Sequence, residues 1–112
     1  MKAQPIQAKL EDDKDIHLVI SIPNAPKKTM IVEFPKPTCV ASSFKRYRIA
    51  RARRQFVNDC GSVSASSWLK LAGRVTIMGV GFWDDKHGQI GVAPNAIELH
   101  PVLSFRGRCE PR

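Results

Sequence analysis

Apolar and polar residues alternate with a period of two over most of this chain, and that alternation predicts strands. Residues 4–10 place Ile6, Ala8 and Leu10 on one side. After a polar turn at residues 11–14, residues 15–22 alternate more regularly, with Ile16, Leu18, Ile20 and Ile22 opposite Asp15, His17, Val19 and Ser21. Proline and asparagine mark residues 23–28 as a loop. Residues 29–34 form a third strand, with Met30, Val32 and Phe34 opposite Ile31 and Glu33, and Pro35 and Pro37 end it.

The period then changes. Over residues 44–58, Ile49, Ala52 and Phe56 recur at helical spacing as a narrow apolar stripe. Ser42 and Ser43 offer caps at the start, and Cys60-Gly61 offers a stop. A serine-rich link over residues 62–67 leads to Trp68-Leu69-Lys70-Leu71 and a turn at Gly73. A fourth strand is expected over residues 74–83, where Gly79 and Gly81 mark a bulge or a sharp bend. The polar, glycine-containing connection over residues 84–95 is long for a compact domain, and reads either as a functional loop or as a rigid brace. The fifth strand, residues 97–105, sets Ile97, Leu99 and Leu103 against Glu98, His100 and Val102, with a basic tail from about 106.

The order strand, strand, strand, helix, strand, strand predicts a mostly β chain that is a single domain over residues 1–112. The expected form is a small five-stranded OB-like barrel with one helix between strands 3 and 4. An open α+β sheet with one covering helix fits the same string of elements. A chain of 112 residues can bury about two thirds of its unfolded surface, enough for an independent core. No apolar run approaches the roughly 20 residues of a membrane span. Met1-Lys2 is followed by Gln4, Pro5 and Gln7 rather than an apolar stretch, so the chain reads as cytoplasmic as written, or as exported if a leader has been removed.

Charge changes the picture most. The net charge is +8, and six of the eighteen cationic residues lie on the predicted helix: Lys45, Arg46, Arg48, Arg51, Arg53 and Arg54. This points to a non-catalytic binding module with an anionic partner, nucleic acid first and an acidic protein surface next. Tyr47 is the only exposed-looking ring among these cations; Trp68 and Trp83 are candidates for base stacking, though burial is the commoner use of tryptophan. Two other readings stay open. Asp12, Asp13 or Asp15 with an arginine would suit a metal-dependent phosphodiesterase, and a free sheet edge would suit a homodimer rather than a monomer.

Each histidine has an acid close by in sequence: Asp15 with His17, Asp84 and Asp85 with His87, Glu98 with His100. If their strands adjoin, His17, Glu33, Glu98 and His100 share one face as a polar cluster able to bind a metal or move protons. The commoner outcome of such alternation is a solvated face or a satisfied polar network, so no metal, cofactor or catalytic residue is assigned. Cys39 and Cys60 flank the predicted helix and either close one loop as a disulfide, leaving Cys109 unpaired in the tail, or stay reduced. No cysteine lies in a C-x-x-C pair or has a histidine three to five residues away.

Several blocks resemble a family of short bacterial proteins of unknown function. They are Asp15-Ile16-His17-Leu18-Val19-Ile20, Thr29-Met30-Ile31-Val32-Glu33-Phe34-Pro35 with Cys39, and Gly79-Val80-Gly81-Phe82-Trp83-Asp84. His87-Gly88-Gln89 and the run from Ala93-Pro94-Asn95-Ala96-Ile97 through Glu98-Leu99-His100-Pro101-Val102-Leu103 complete the match, and the last block is specific. The resemblance implies an OB-like barrel and, because members usually look exported, a paired Cys39 and Cys60. It carries no activity. This chain departs from the pattern in its unusually basic helix.

Overall fold

The computed structural model describes residues 1–40, 43–83, 88–94 and 96–112, and for Cys39 and Val40 the backbone alone. The chain is mostly β, with five strands in one sheet and one α-helix. The strands are β1 (Lys2–Leu10), β2 (Ile16–Ile22), β3 (Ala25–Phe34), β4 (Leu69–Trp83) and β5 (Ile97–Pro111); a short 3-10 turn, Pro37–Val40, precedes helix α1 (Arg46–Cys60). They pair in the circular order β1-β2-β3-β5-β4, with β4 returning to β1 through Lys2↔Thr76 and Ala8↔Leu69. One parallel contact closes the ring, Ile31↔Glu98 and Val32↔Leu99 between β3 and β5.

The interior forms where the alternating residues point inward. Ile16, Leu18 and Ile20 of β2 and Val32 and Phe34 of β3 lie in the core, as the period of two predicts. In β1 the phase changes: Ala3 and Pro5 are buried, the register slips between Pro5 and Gln7, and Ala8 is buried beyond it. Proline has no N–H to give a ladder, so the irregularity falls where the ladder is weakest. In β5, register shifts against β4 between Met78 and Gly79 and between Gly79 and Gly81 space the core-facing residues Leu99, Val102 and Phe105 by three. Val102, expected on the polar face, is therefore fully buried, while Ile22, expected to face inward, is exposed.

Two strands are longer than their patterns suggest. Gly73, expected to turn the chain, is an internal residue of β4 opposite Cys109. Residues 106–111, expected as a basic tail, continue β5, with Arg106 opposite Thr76 and Arg108 opposite Arg74. The proposed loop over residues 23–28 is mostly strand, because β3 begins at Ala25 directly after a tight turn.

Helix α1 buries the predicted stripe, Ile49, Ala52 and Phe56, together with Cys60. The rings of Phe34, Phe56 and Phe105 meet with centroids 5.0, 5.5 and 5.7 Å apart, so the helix is wedged against β3 and β5. Its start is later than expected: Ser43 Oγ accepts from the Lys45 amide and the Ser43 carbonyl from the Arg46 amide, while Ser42 lies outside the described residues. It ends at Gly61, whose φ of 113° few other residues adopt and whose N–H donates to the Val57 carbonyl.

The disulfide pairing expected from the sequence is corrected. Cys60 is bonded to Cys109, not to Cys39, because the extension of β5 carries Cys109 alongside the last turn of α1. This bond joins helix and sheet across 49 residues of chain. Reducing it is expected to cost about 2–5 kcal/mol, read as a lower urea midpoint in reductant. An unchanged midpoint would show that packing alone holds α1 in place.

Candidate functional site

The outer faces of β2 and β3 carry the polar residues singled out from the sequence. These faces are not solvated. Residues 88–94, in the connection between β4 and β5, lie across them: the Ile90 carbonyl is 3.0 Å from His17 Nε2, and an added Cβ at Gly91 would lie within 2.7 Å of both Val19 methyl carbons. Gly91, at φ 87°, is thus one position where glycine is required for close approach. Asp15, His17, Val19 and Ser21 are buried as a result, leaving β2 covered on both faces. His87 and Asn95 lie outside the described residues, as do Asp84 and Asp85.

Register brings His17 opposite Glu33. His17 Nδ1 lies 3.3 Å from Glu33 Oε1 and 3.6 Å from Glu11 Oε2. A second group forms beside it, with His100 Nδ1 3.3 Å from Glu98 Oε1 and His100 Nε2 3.8 Å from Asp15 Oδ2. The four residues expected as one cluster therefore divide into two histidine–carboxylate groups. Sequence reading missed Glu11, because it sits in the turn after β1 rather than in an alternating run. That turn is held by the Glu11 N–H donating to the Asp15 carbonyl and the Lys14 N–H donating to the Glu11 carbonyl. Phe82 stacks edge-on against His100 at 5.6 Å, and Trp68 against His17 at 5.7 Å.

Burial governs the protonation of these groups. Burial alone would depress His17, but its hydrogen bonds to Glu11, Glu33 and the Ile90 carbonyl outweigh that and raise its pKa well above the ordinary imidazole range. Desolvation raises Glu33, whereas the hydrogen bond from His17 lowers Glu11. Asp15 is raised by its burial, against the opposing bond from the Lys36 amide. The imidazolium of His17 thus balances an ionised Glu11 while Glu33 tends to hold its proton. The three turn acids do not converge: Asp13 Oδ1 accepts from the Asp15 amide, Asp15 accepts from the Lys36 amide, and Asp12 lines a surface cavity together with Glu11 and His17.

The helix cations separate into two kinds. Arg53 donates to the Phe34 carbonyl and to the Lys14 carbonyl, both at 2.9 Å, and burial lowers its pKa. It therefore ties α1 to the end of β3 and the β1–β2 turn, with one N–H of each Nη already engaged. Arg46, Arg48, Arg51 and Arg54 are exposed, and Lys45 is half-buried. Among the described residues, Arg108 is the only arginine or lysine within ion-pair distance of a carboxylate, that of Glu110.

Rings accompany these cations, in greater number than the sequence suggests. Phe44 is 87% exposed and Tyr47 71%; Lys45 lies over the Phe44 ring and Arg46 over the Tyr47 ring at 4.6 Å. Arg48 Nη2 is 3.5 Å from Met78 Sδ, so the exposed end of β4, with Met78, Val80, Phe82 and Trp83, continues from the basic face. Among the described residues, no helix is long and apolar enough to cross a membrane. No protein family, no curated protein and no solved structure matches this chain.

Proposed function

We propose that this chain is a small, non-catalytic binding module of OB-like architecture that holds a polyanion, nucleic acid in the first place, on the exposed face of α1. The observation that carries the reading is the set Arg46, Arg48, Arg51 and Arg54, exposed together on one helix without a carboxylate partner among the described residues. Like charges gathered this way repel one another, and a phosphate backbone relieves that repulsion while releasing its own counterions. Exposed Phe44, Tyr47 and Met78 beside them supply apolar surface for unpaired bases, the combination that single-strand binders use. The OB-like assignment is supported by the circular strand order and by a helix placed between β3 and β4. The Cys60–Cys109 disulfide favours an oxidising compartment, since cytosolic thiols are kept reduced.

A basic face of this kind reads phosphates rather than bases, so the expected binding has little sequence preference. The test is fluorescence anisotropy of a labelled single-stranded oligonucleotide over a salt series. Affinity should fall steeply from low to physiological salt. Replacing Arg46, Arg51 and Arg54 by alanine should flatten the log–log slope by about 2, at about 0.7 for each phosphate no longer neutralised. Absence of binding at low salt, or a slope that the triple variant leaves unchanged, removes the reading.

A further inference from the structure

The group formed by Glu11, His17 and Glu33 is spaced so that it could hold a metal ion as well as an ion pair. One potential ligand atom from each residue lies within 4.8 Å of the other two. A tetrahedron with metal–ligand bonds of about 2.0–2.1 Å has edges of about 3.3–3.4 Å. The separations from His17 Nδ1 to Glu33 Oε1, 3.3 Å, and to Glu11 Oε2, 3.6 Å, are close to such edges.

The tautomer is set for ligation as well. His17 Nε2 lies 3.0 Å from the Ile90 carbonyl, which can only accept, so Nε2 carries a proton and donates it there. Nδ1 is left facing the two carboxylates. A backbone or carboxylate acceptor on the remote ring nitrogen is the usual support of a metal-bound histidine.

Hydrogen bonding within the protein leaves this group incomplete. A protonated Nδ1 has one N–H to offer to two carboxylates, and it is the proton held on Glu33 that links that residue to Glu11. The Glu33 side chain is only 7% exposed, yet among the described residues its Oε2 is buried without a hydrogen-bond partner. Without a metal the group is neutral only because Glu33 keeps its proton against the imidazolium of His17 and the ionised Glu11. A divalent cation with neutral imidazole keeps that balance with both carboxylates ionised and gives the buried one a counter-charge at bonding distance.

We propose that Glu11 Oε2, His17 Nδ1 and the Glu33 carboxylate bind one divalent transition-metal ion of the zinc class. Imidazole in the set favours zinc-like ions over magnesium or calcium, which prefer oxygen alone. Three protein ligands leave a fourth position open. Glu11 and His17 line a surface cavity of about 360 Å³, with Trp68, Gln89 and Ile90 on its walls, so an ion and its water have a way in.

Cobalt(II) titration of the untagged, oxidised protein is the test. The expected result is one equivalent bound per chain, with the visible bands of four-coordinate cobalt and no thiolate charge-transfer band, displaced by zinc. Glu33→Gln and His17→Asn should each weaken binding at least about tenfold, the smallest loss seen for partners outside the ligand shell, and Glu110→Gln, an exposed carboxylate paired with Arg108 away from the site, should leave it unchanged. Should the buried variants fail to fold, fluorescence locates the ion on folded protein. Trp68, 5.7 Å from the His17 ring, should be quenched by cobalt. The quench should persist in Trp83→Phe and vanish in Trp68→Phe. No saturable binding, a thiolate band, or a quench that follows Trp83 instead would overturn the proposal.

Discussion

Replacing Phe56 with alanine is expected to remove about 3–5 kcal/mol of folding stability, the cost of emptying a buried aromatic site that cannot collapse. Phe56 is fully buried and touches Phe34 of β3 and Phe105 of β5, so its ring is where helix, third strand and fifth strand meet. A domain of this size holds about 5–15 kcal/mol in total. The variant should therefore stay folded in buffer and unfold at a much lower urea concentration with the same m-value. Phe56→Leu keeps most of the volume and should cost only about 1.5 kcal/mol. A loss under about 1 kcal/mol for the alanine variant, small for a filled core site, would mean that α1 is not wedged into the sheet. The basic face of α1 would then lack a rigid support.

Strands that alternate against a single interior were legible in the sequence, and less so where a second surface intervenes. Ile16, Leu18 and Ile20, like Ile49, Ala52 and Phe56, can be read because one buried face imposes one period. Val102 cannot, because the β5 register shifts set the core spacing at three, and nothing local announces a bulge there beyond the glycines opposite it. Residues 106–111 look like a charged tail because Arg106, Gly107 and Arg108 are strand residues exposed to solvent, and only pairing with β4 reveals the strand. The polar cluster was half legible. His17 and Glu33 follow from strand parity, but Glu11 enters through a turn, and the burial of the whole group depends on residues 88–94 crossing from elsewhere in the chain. Cys109 was missed for the same reason as the tail. Arg53 was grouped with its neighbours by charge, since the carbonyls that hold it belong to segments 19 and 39 residues away.

The other large effect is expected at Gly73, and it concerns the backbone rather than the core. Gly73 has φ 136°, and a Cβ built there would lie 2.0 Å from the Arg108 carbonyl oxygen and 2.8 Å from its carbon. Those are backbone atoms of the paired strand, which cannot rotate aside as a side chain would. To admit even a methyl group, β4 and β5 must separate where Gly73 faces Cys109, the residue bonded to Cys60. The left-handed conformation alone costs a non-glycine residue about 1–2 kcal/mol, and parting the strands adds the loss of ladder hydrogen bonds at about 1 kcal/mol each. Gly73→Ala should therefore destabilise by at least about 3 kcal/mol, with low soluble yield and, in what does fold, titratable thiols at Cys60 and Cys109. Gly81 supplies the contrast in the same strand. No atom lies within 4 Å of its added Cβ, and Gly81→Ala should be neutral or stabilise by a few tenths of a kcal/mol through the unfolded state. If the two alanine variants unfold at the same urea concentration, the close approach of β4 and β5 at Gly73 does not hold, and neither does the continuation of β5 that brings Cys109 to the helix.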